Sequence, residues 1–202
     1  DPGRANALLD ELELTRRDVD GLRTFPDGSN LTLYLTFTSN TGLGPAEFVV
    51  DDWREVGLRV IAREQSRVLF QQKRDSSDFD LVAWTSESDH FPLLASRSFA
   101  PPDSEALYAT GWGRWFMRGG YYGSPKALDV KNAYPPPPGH PMLAAYRALV
   151  EARQLGTMEE RVARFREATD IAAENLWSIN IAEPTPFLVV VNDDLRNVPQ
   201  NA

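Results

Sequence analysis

Cysteine is missing altogether from the 202 residues, which rules out disulfides, thiolate nucleophiles and cysteine-held metals. An oxidising compartment is compatible with that absence but not required by it. Histidine is nearly as scarce: His90 and His140 are the 2 present, little material for histidine-based catalysis or a histidine-rich metal centre. Cations are in the minority, with 21 Lys and Arg against 29 Asp and Glu and a formal net charge of −8. Nucleic acid is held by clustered Lys and Arg, so this balance argues against it as a partner. No apolar run approaches the roughly 18 to 20 residues of a membrane span, and no secretory leader is present. Nor does a glycine-rich phosphate loop follow a strand: Gly111, Gly113, Gly119 and Gly120 sit among aromatic residues instead.

What is present supports a real core, since 42% of the residues are hydrophobic, in one large domain or two small ones. Asp1 and Pro2 suit a helix start, with Ala5, Leu8, Leu9 and Leu12 on one face. Turns follow at Asp20-Gly21 and Pro26-Asp27-Gly28. Asp18, Asp20 and Gly21 have the opening of a calcium loop, but no Glu closes it, so an ordinary turn is expected. Leu31, Leu33, Leu35 and Phe37 alternate with polar residues and predict a strand over 31–37 with one buried face. A helix from Pro45 with Phe48, Val49, Asp52, Trp53 and Val56 on one stripe, stopped at Gly57, leads to a strand over 58–64. A helix over 66–74 and a strand over 79–84 repeat the unit. Strand–helix–strand units with short joints imply parallel pairing.

Regularity fails between Phe91 and Gly139, a stretch holding Trp112, Trp115, Phe116, Tyr121, Tyr122 and Tyr134. A loop this long is functional or disordered, and its aromatic content argues against disorder. Two readings stand: aromatic packing over the sheet edge, or ligand-facing aromatics from Trp112 to Tyr122. A short helix is expected over 104–108. After the spacer of prolines at 135–138, a helix from Pro141 carries Met142, Tyr146, Leu149 and Val150 on one stripe. His140 is read as part of the loop leading into it. Gly156 ends it, and Thr157 with Glu160 forms a capping box for a further helix with Val162, Phe165, Ala168, Thr169, Ala172 and Leu176 inward. Strands over 178–181 and 187–191 are expected beyond, with Pro184 and Pro186 confining them to an edge.

The pivotal stretch is FDLVAWTSESDHFP at 79–92. Leu81 to Trp84 read as a short strand buried on both faces, emptying at once into a polar loop. Open α/β sheets hold ligands beyond the carboxyl ends of such strands. Ser86, Ser88, Asp89 and His90 are neighbours in one loop, which does not give the geometry of a nucleophile, base and orienting acid, so an enzyme is not expected. Glu87, Asp89 and His90 alone make a poor metal site, which wants ligands from separate elements. No cofactor is implied.

This stretch resembles the C-terminal lobe of the family 5 solute-binding proteins, the extracytoplasmic receptors of oligopeptide and dipeptide ABC importers. DPGRANALLDEL at 1–12 is similar to the helix opening that lobe, PDGSNLTL at 26–33 to the turn and strand that follow, and FVVDDWREVGLRV at 48–60 to the next helix and strand. The resemblance implies an α/β, periplasmic-binding-protein-like (type II) lobe with a mixed, mainly parallel sheet flanked by helices, and the helical hairpin against that sheet. It implies a single C-terminal lobe spanning 1–202, a fragment whose N-terminal lobe and leader are missing, since residue 1 is Asp and not Met. The lone lobe would then be open to self-association. The partners implied are a small solute, most simply a peptide, the N-terminal lobe and an ABC permease, in the periplasm or another extracytoplasmic space. Family members hold a peptide's amino terminus with an Asp in the loop after this strand, a position matched by Asp89. The candidate ligand-binding residues are Trp84, Glu87, Asp89, His90, Trp112, Trp115 and Tyr122. The family pattern is broken by His90 and by Leu93-Leu94, so a carbohydrate-binding lobe or enzyme accessory domain using the aromatic loop stands as the alternative.

Overall fold

Three parallel strands carry the first half of the chain, the first in sequence lying between the other two. The computed structural model describes residues 1–85 and 92–181, together with 192, 194 and 196. The elements run α1 (Pro2–Glu11), β1 (Thr32–Phe37), α2 (Leu43–Glu55), β2 (Arg59–Glu64), α3 (Arg67–Ser76), β3 (Leu81–Val82), α4 (Thr110–Met117), α5 (Pro141–Gln154) and α6 (Met158–Glu174). The two expected strands at 31–37 and 58–64 are hydrogen-bonded neighbours, from Thr32 opposite Arg59 to Phe37 opposite Glu64. The fold is α/β, a parallel sheet with helices joining its strands.

Which strand is buried differs from the expectation. β1 lies in the middle, so its carboxyl half, Leu35, Thr36 and Phe37, is buried on both faces. The alternation of its side chains signals a half-exposed strand, but a central position overrides that pattern. β3 is the shorter one, reduced to Leu81 and Val82, both half-buried. Ala83 extends the pairing, its amide donating to the Thr36 carbonyl at 2.9 Å. Leu35, Phe37, Ala46, Val60 and Ala83 form the core beneath the sheet, with Val49 and Trp53 of α2 packed on it. Phe48, expected on that stripe, is 72% exposed.

α1 begins as expected, the Asp1 carboxylate accepting the Arg4 amide at 2.9 Å. Its expected apolar face is not covered: Leu8 and Leu12 are exposed and no residue of the helix is buried. A polar tie holds it instead. Arg23, almost fully buried, donates to the Asp10 carboxylate at 2.6 Å, to Asn6 Oδ1 at 2.7 Å and to the Val56 carbonyl at 2.9 Å.

A second core gathers around the helical hairpin. Met142, Tyr146 and Leu149 of α5 and Phe165 and Ala168 of α6 are buried against each other and against the aromatic segment. The hairpin's apolar face is covered by that segment, in a cluster distinct from the one beneath the sheet; the physical reason is the supply of rings between residues 99 and 121. Phe116 stacks on Tyr146 at 4.4 Å. Thr157 and Glu160 make the expected capping box, and His140 caps α5, its Nδ1 accepting the Met142 amide at 3.1 Å. Val162 and Leu176, expected inward on α6, are exposed.

The helix in the aromatic segment falls at Thr110–Met117, not at 104–108. Two glycines disguise it, because glycine disfavours a helix interior. Both are required by close approach: a methyl at Gly113 would overlap the Asp103 carbonyl, and one at Gly111 would enter the Tyr134 ring. Residues 178–181 are not a strand. The expected strand over 187–191 lies outside the described residues.

Candidate functional site

Parallel pairing brings the carboxyl ends of all three strands to one edge of the sheet. There the chain opens a cavity of about 300 Å³, lined by residues 38–40 after β1 and by 64–67, from the last residue of β2 to the first of α3. The reason is topological: each strand must leave the sheet before its helix begins, and adjacent departures leave a crevice between them.

The walls are built from polar and charged residues, whose apolar atoms make up about half of the lining. Thr38 is 3% exposed, and among the described residues its hydroxyl has no hydrogen-bond partner. Ser39 and Asn40 beside it are exposed. On the other wall, the Ser66 hydroxyl caps α3 by accepting the Leu69 amide at 3.3 Å. The first-turn amides of Arg67 and Val68 have no acceptor within their helix. Glu64 and Arg67 contribute one charge of each sign. Thr41 ties the loop after β1 to the exit of β3, its hydroxyl donating to the Ala83 carbonyl at 3.4 Å.

Of the residues singled out from sequence, Trp84 stands beside this edge. Its ring stacks on buried Phe70 of α3 at 4.7 Å, and the Arg67 guanidinium lies 5.5 Å from the ring centre. Glu87, Asp89 and His90 lie outside the described residues. The remaining three belong to the aromatic and hairpin region. Trp112 meets His140 edge-on at 4.6 Å, and Trp115 packs near Tyr146 at 6.4 Å. Tyr122 is exposed, its ring perpendicular to Tyr121 at 5.4 Å. Trp84 is thus brought to the strand edge, while Trp112 and Trp115 pack on the second core.

Sequence reading overlooked Thr38, Ser39, Asn40, Gln65, Ser66 and Arg67. A signal existed: both β1 and β2 end in short polar runs, and strands that pair in parallel end on the same side. A larger groove, about 550 Å³, lies between α1 and α2 around Leu8, Leu9, Trp53 and Leu58. Leu58 precedes β2, so that groove sits toward the opposite end of the sheet.

No family model and no curated protein matches the chain. Solved structures do. The oligopeptide-binding protein OppA superposes with a TM-score of 0.68 at 26% identity, over 88% of this chain and 28% of that one. The periplasmic binding protein MelB of Agrobacterium fabrum C58, in complex with stachyose, gives a TM-score of 0.61 at 17% identity, over 88% of this chain and 25% of its own. NikA from Brucella suis, in complex with Fe(III)-EDTA, gives 0.54 at 19% identity, over 88% of this chain and 30% of its own. The last two, at their low identity, speak for the fold alone. The chain thus spans between a quarter and three-tenths of the length of these structures. In fold, and in sequence at the level of OppA, the chain resembles a lobe of the family 5 solute-binding proteins.

Proposed function

We propose that the chain is the C-terminal lobe of a two-lobe solute-binding protein that works outside the cytoplasm and hands its solute to an ABC importer. The observation that carries this reading is the polar cavity at the carboxyl edge of a parallel sheet, in a fold shared over 88% of the chain with OppA. Its work is binding without turnover. The solute sits across the strand edge, with Trp84 as an apolar wall and the polar residues after β1 and β2 fixing its orientation. The second lobe closes over it, and closure removes the solute from water. One lobe leaves most of the solute wet, so this chain alone binds weakly.

The solute we favour is a peptide. The similarity to OppA supports this, as does Asp89, which falls at the family's amino-terminus position in the sequence and lies outside the described residues. Asp89→Asn in the two-lobe receptor should weaken peptides with a free amino terminus by about 1.5 to 3 kcal/mol, roughly ten- to a hundredfold. Peptides with an acetylated amino terminus should hardly change, having no charge to pair. Calorimetry on both peptide types with both proteins tests this, and equal affinities in all four pairings would remove Asp89 from the site. A carbohydrate is the second reading, supported by the exposed Tyr122 beside Tyr121. Tight binding of an oligosaccharide with no response to peptides would favour it.

A further inference from the structure

We infer that Phe70 is the positioning residue of the solute wall: from α3, its ring holds the Trp84 indole in the plane against which the solute lies. This rests on the reading of Trp84 as that wall. The backbone does little to orient Trp84. β3 ends at Val82, and the bond from the Ala83 amide to the Thr36 carbonyl falls one residue before Trp84. Thr85, the next residue, is exposed. The side chain has no polar anchor either, since among the described residues its indole nitrogen makes no hydrogen bond. What holds the half-buried ring is Phe70, 2% exposed and stacked on it at 4.7 Å with 25° between the planes.

Phe70 is in turn fixed by its helix, in which it is the buried residue. Ser66 caps the start of α3, and at the far end Arg114 and Asn132 both donate to the Asp75 carbonyl. The ring is therefore presented from a helix secured at both ends. Arg67 stands one turn earlier on the same face, its guanidinium 5.5 Å from the centre of the Trp84 ring, and adds a cation–π attraction. Stacked rings hold a definite mutual geometry, which an aliphatic side chain of similar volume does not impose. A wall locked before the solute arrives spares the cost of ordering it on binding. Without the ring behind it, the indole is free to take other rotamers, and the solute must order it first.

Both residues belong to this chain, so the 202-residue protein suffices for the test. Its 5 tryptophans give separate indole signals in NMR spectra, and that of Trp84 is the one lost in Trp84→Phe. In the parent, cross-relaxation should connect the Trp84 indole protons with the Phe70 ring, and its absence would overturn the proposal without any variant. Phe70→Leu keeps an apolar group beneath α3 but no ring to stack. It should move and broaden the Trp84 signal while leaving those of Trp53, Trp112, Trp115 and Trp177 in place. Tri-alanine and maltohexaose serve as peptide and sugar probes. Whichever of them moves the parent's Trp84 signal along a saturating curve should bind Phe70→Leu roughly threefold to tenfold more weakly. Phe70→Tyr, which brings back a ring, should recover most of that loss. Equal affinities in parent and Phe70→Leu, an unmoved Trp84 signal in Phe70→Leu, or a loss in Phe70→Tyr as large as in Phe70→Leu would each overturn the positioning role. Silence of Trp84 toward both probes, with its signal still displaced in Phe70→Leu, would overturn the placing of the solute against Trp84 and leave Phe70 a packing contact alone.

Discussion

Tyr146 shows how much one side chain can settle. Its ring is fully buried against Phe116, and its hydroxyl donates to the Pro101 carbonyl at 2.8 Å. Burial raises the phenol pKa well above its ordinary 10.0, because the phenolate would lose its water. The raised value favours folding fully below the ordinary pKa, and that contribution drains away as pH climbs from there toward the folded-state value. Alkaline unfolding followed by circular dichroism should therefore begin above about pH 10 and should shift upward in Tyr146→Phe, which has no proton to lose. The same variant strands a buried carbonyl and should cost about 1 to 3 kcal/mol near neutral pH, read from urea unfolding. A Tyr146→Phe variant as stable as the parent would mean that the Pro101 carbonyl finds another donor.

Between elements, the informative contact is the one joining the two cores. Arg114 of α4 donates to the Asp75 carbonyl at the end of α3 at 2.8 Å and pairs with the Asp75 carboxylate at 3.1 Å. Asn132 reaches the same carbonyl at 3.3 Å, and Arg74 bridges to Glu105. The Arg114 side chain is only 13% exposed, so its charge is poorly compensated by water. Arg114→Ala should lower stability by about 1 to 2 kcal/mol, because it removes the nearer donor to the Asp75 carbonyl, leaving Asn132 alone there, and one of the two arginines paired with the Asp75 carboxylate. Arg147→Ala is the control. Its pair with Glu167 spans 3.8 Å between exposed side chains and should be worth less than about 1 kcal/mol. Equal losses from the two substitutions in chemical unfolding would show that Arg114 is an ordinary surface charge. The capping box of α6 adds an acid-side prediction. The Thr157 hydroxyl, then its amide, hold Glu160 below its ordinary carboxylate pKa. A depressed carboxylate stabilises above its unfolded value and loses that effect as pH falls through the folded one. Thr157→Ala should cost about 1 kcal/mol at neutral pH and less in acid, where Glu160 is protonated in both proteins.

For the whole molecule, the exposed apolar surface has the larger consequence. Leu8 of α1, Leu12 at its C-cap and Phe48 and Leu43 of α2 lie open to solvent, and the groove beside α1 is largely apolar, with Asp1, Asp52 and Glu55 also lining it. Such surface favours association, and the formal charge of −8 opposes it by repulsion. The isolated chain should therefore self-associate with rising concentration, more so in high salt, where screening weakens the repulsion. Sedimentation at increasing concentration checks this. A strict monomer across the range, with salt making no difference, would mean that these residues pack within one molecule in solution.

How far the chain could be read without coordinates varied by element, for physical reasons. The strand–helix alternation through β1, α2, β2 and α3 was legible, because periods of 2.0 and 3.6 and the caps at Asp1 and Thr157 are local signals. The hairpin of α5 and α6 was legible for the same reason. α4 was not, since Gly111 and Gly113 answer to Tyr134 and Asp103, neighbours that only folding supplies. The same limit hid the middle position of β1, the tie made by Arg23 and the cavity of residues 38–40 and 64–67. The sequence by itself determined the class of fold, the order of the elements from α1 to α3, the helical hairpin and the likeness to a solute-binding lobe, because these follow from patterns along the chain. The tertiary structure alone decided which strand is central, what the hairpin packs against and which polar side chains meet at the strand ends, because pairing order and burial depend on residues distant in sequence.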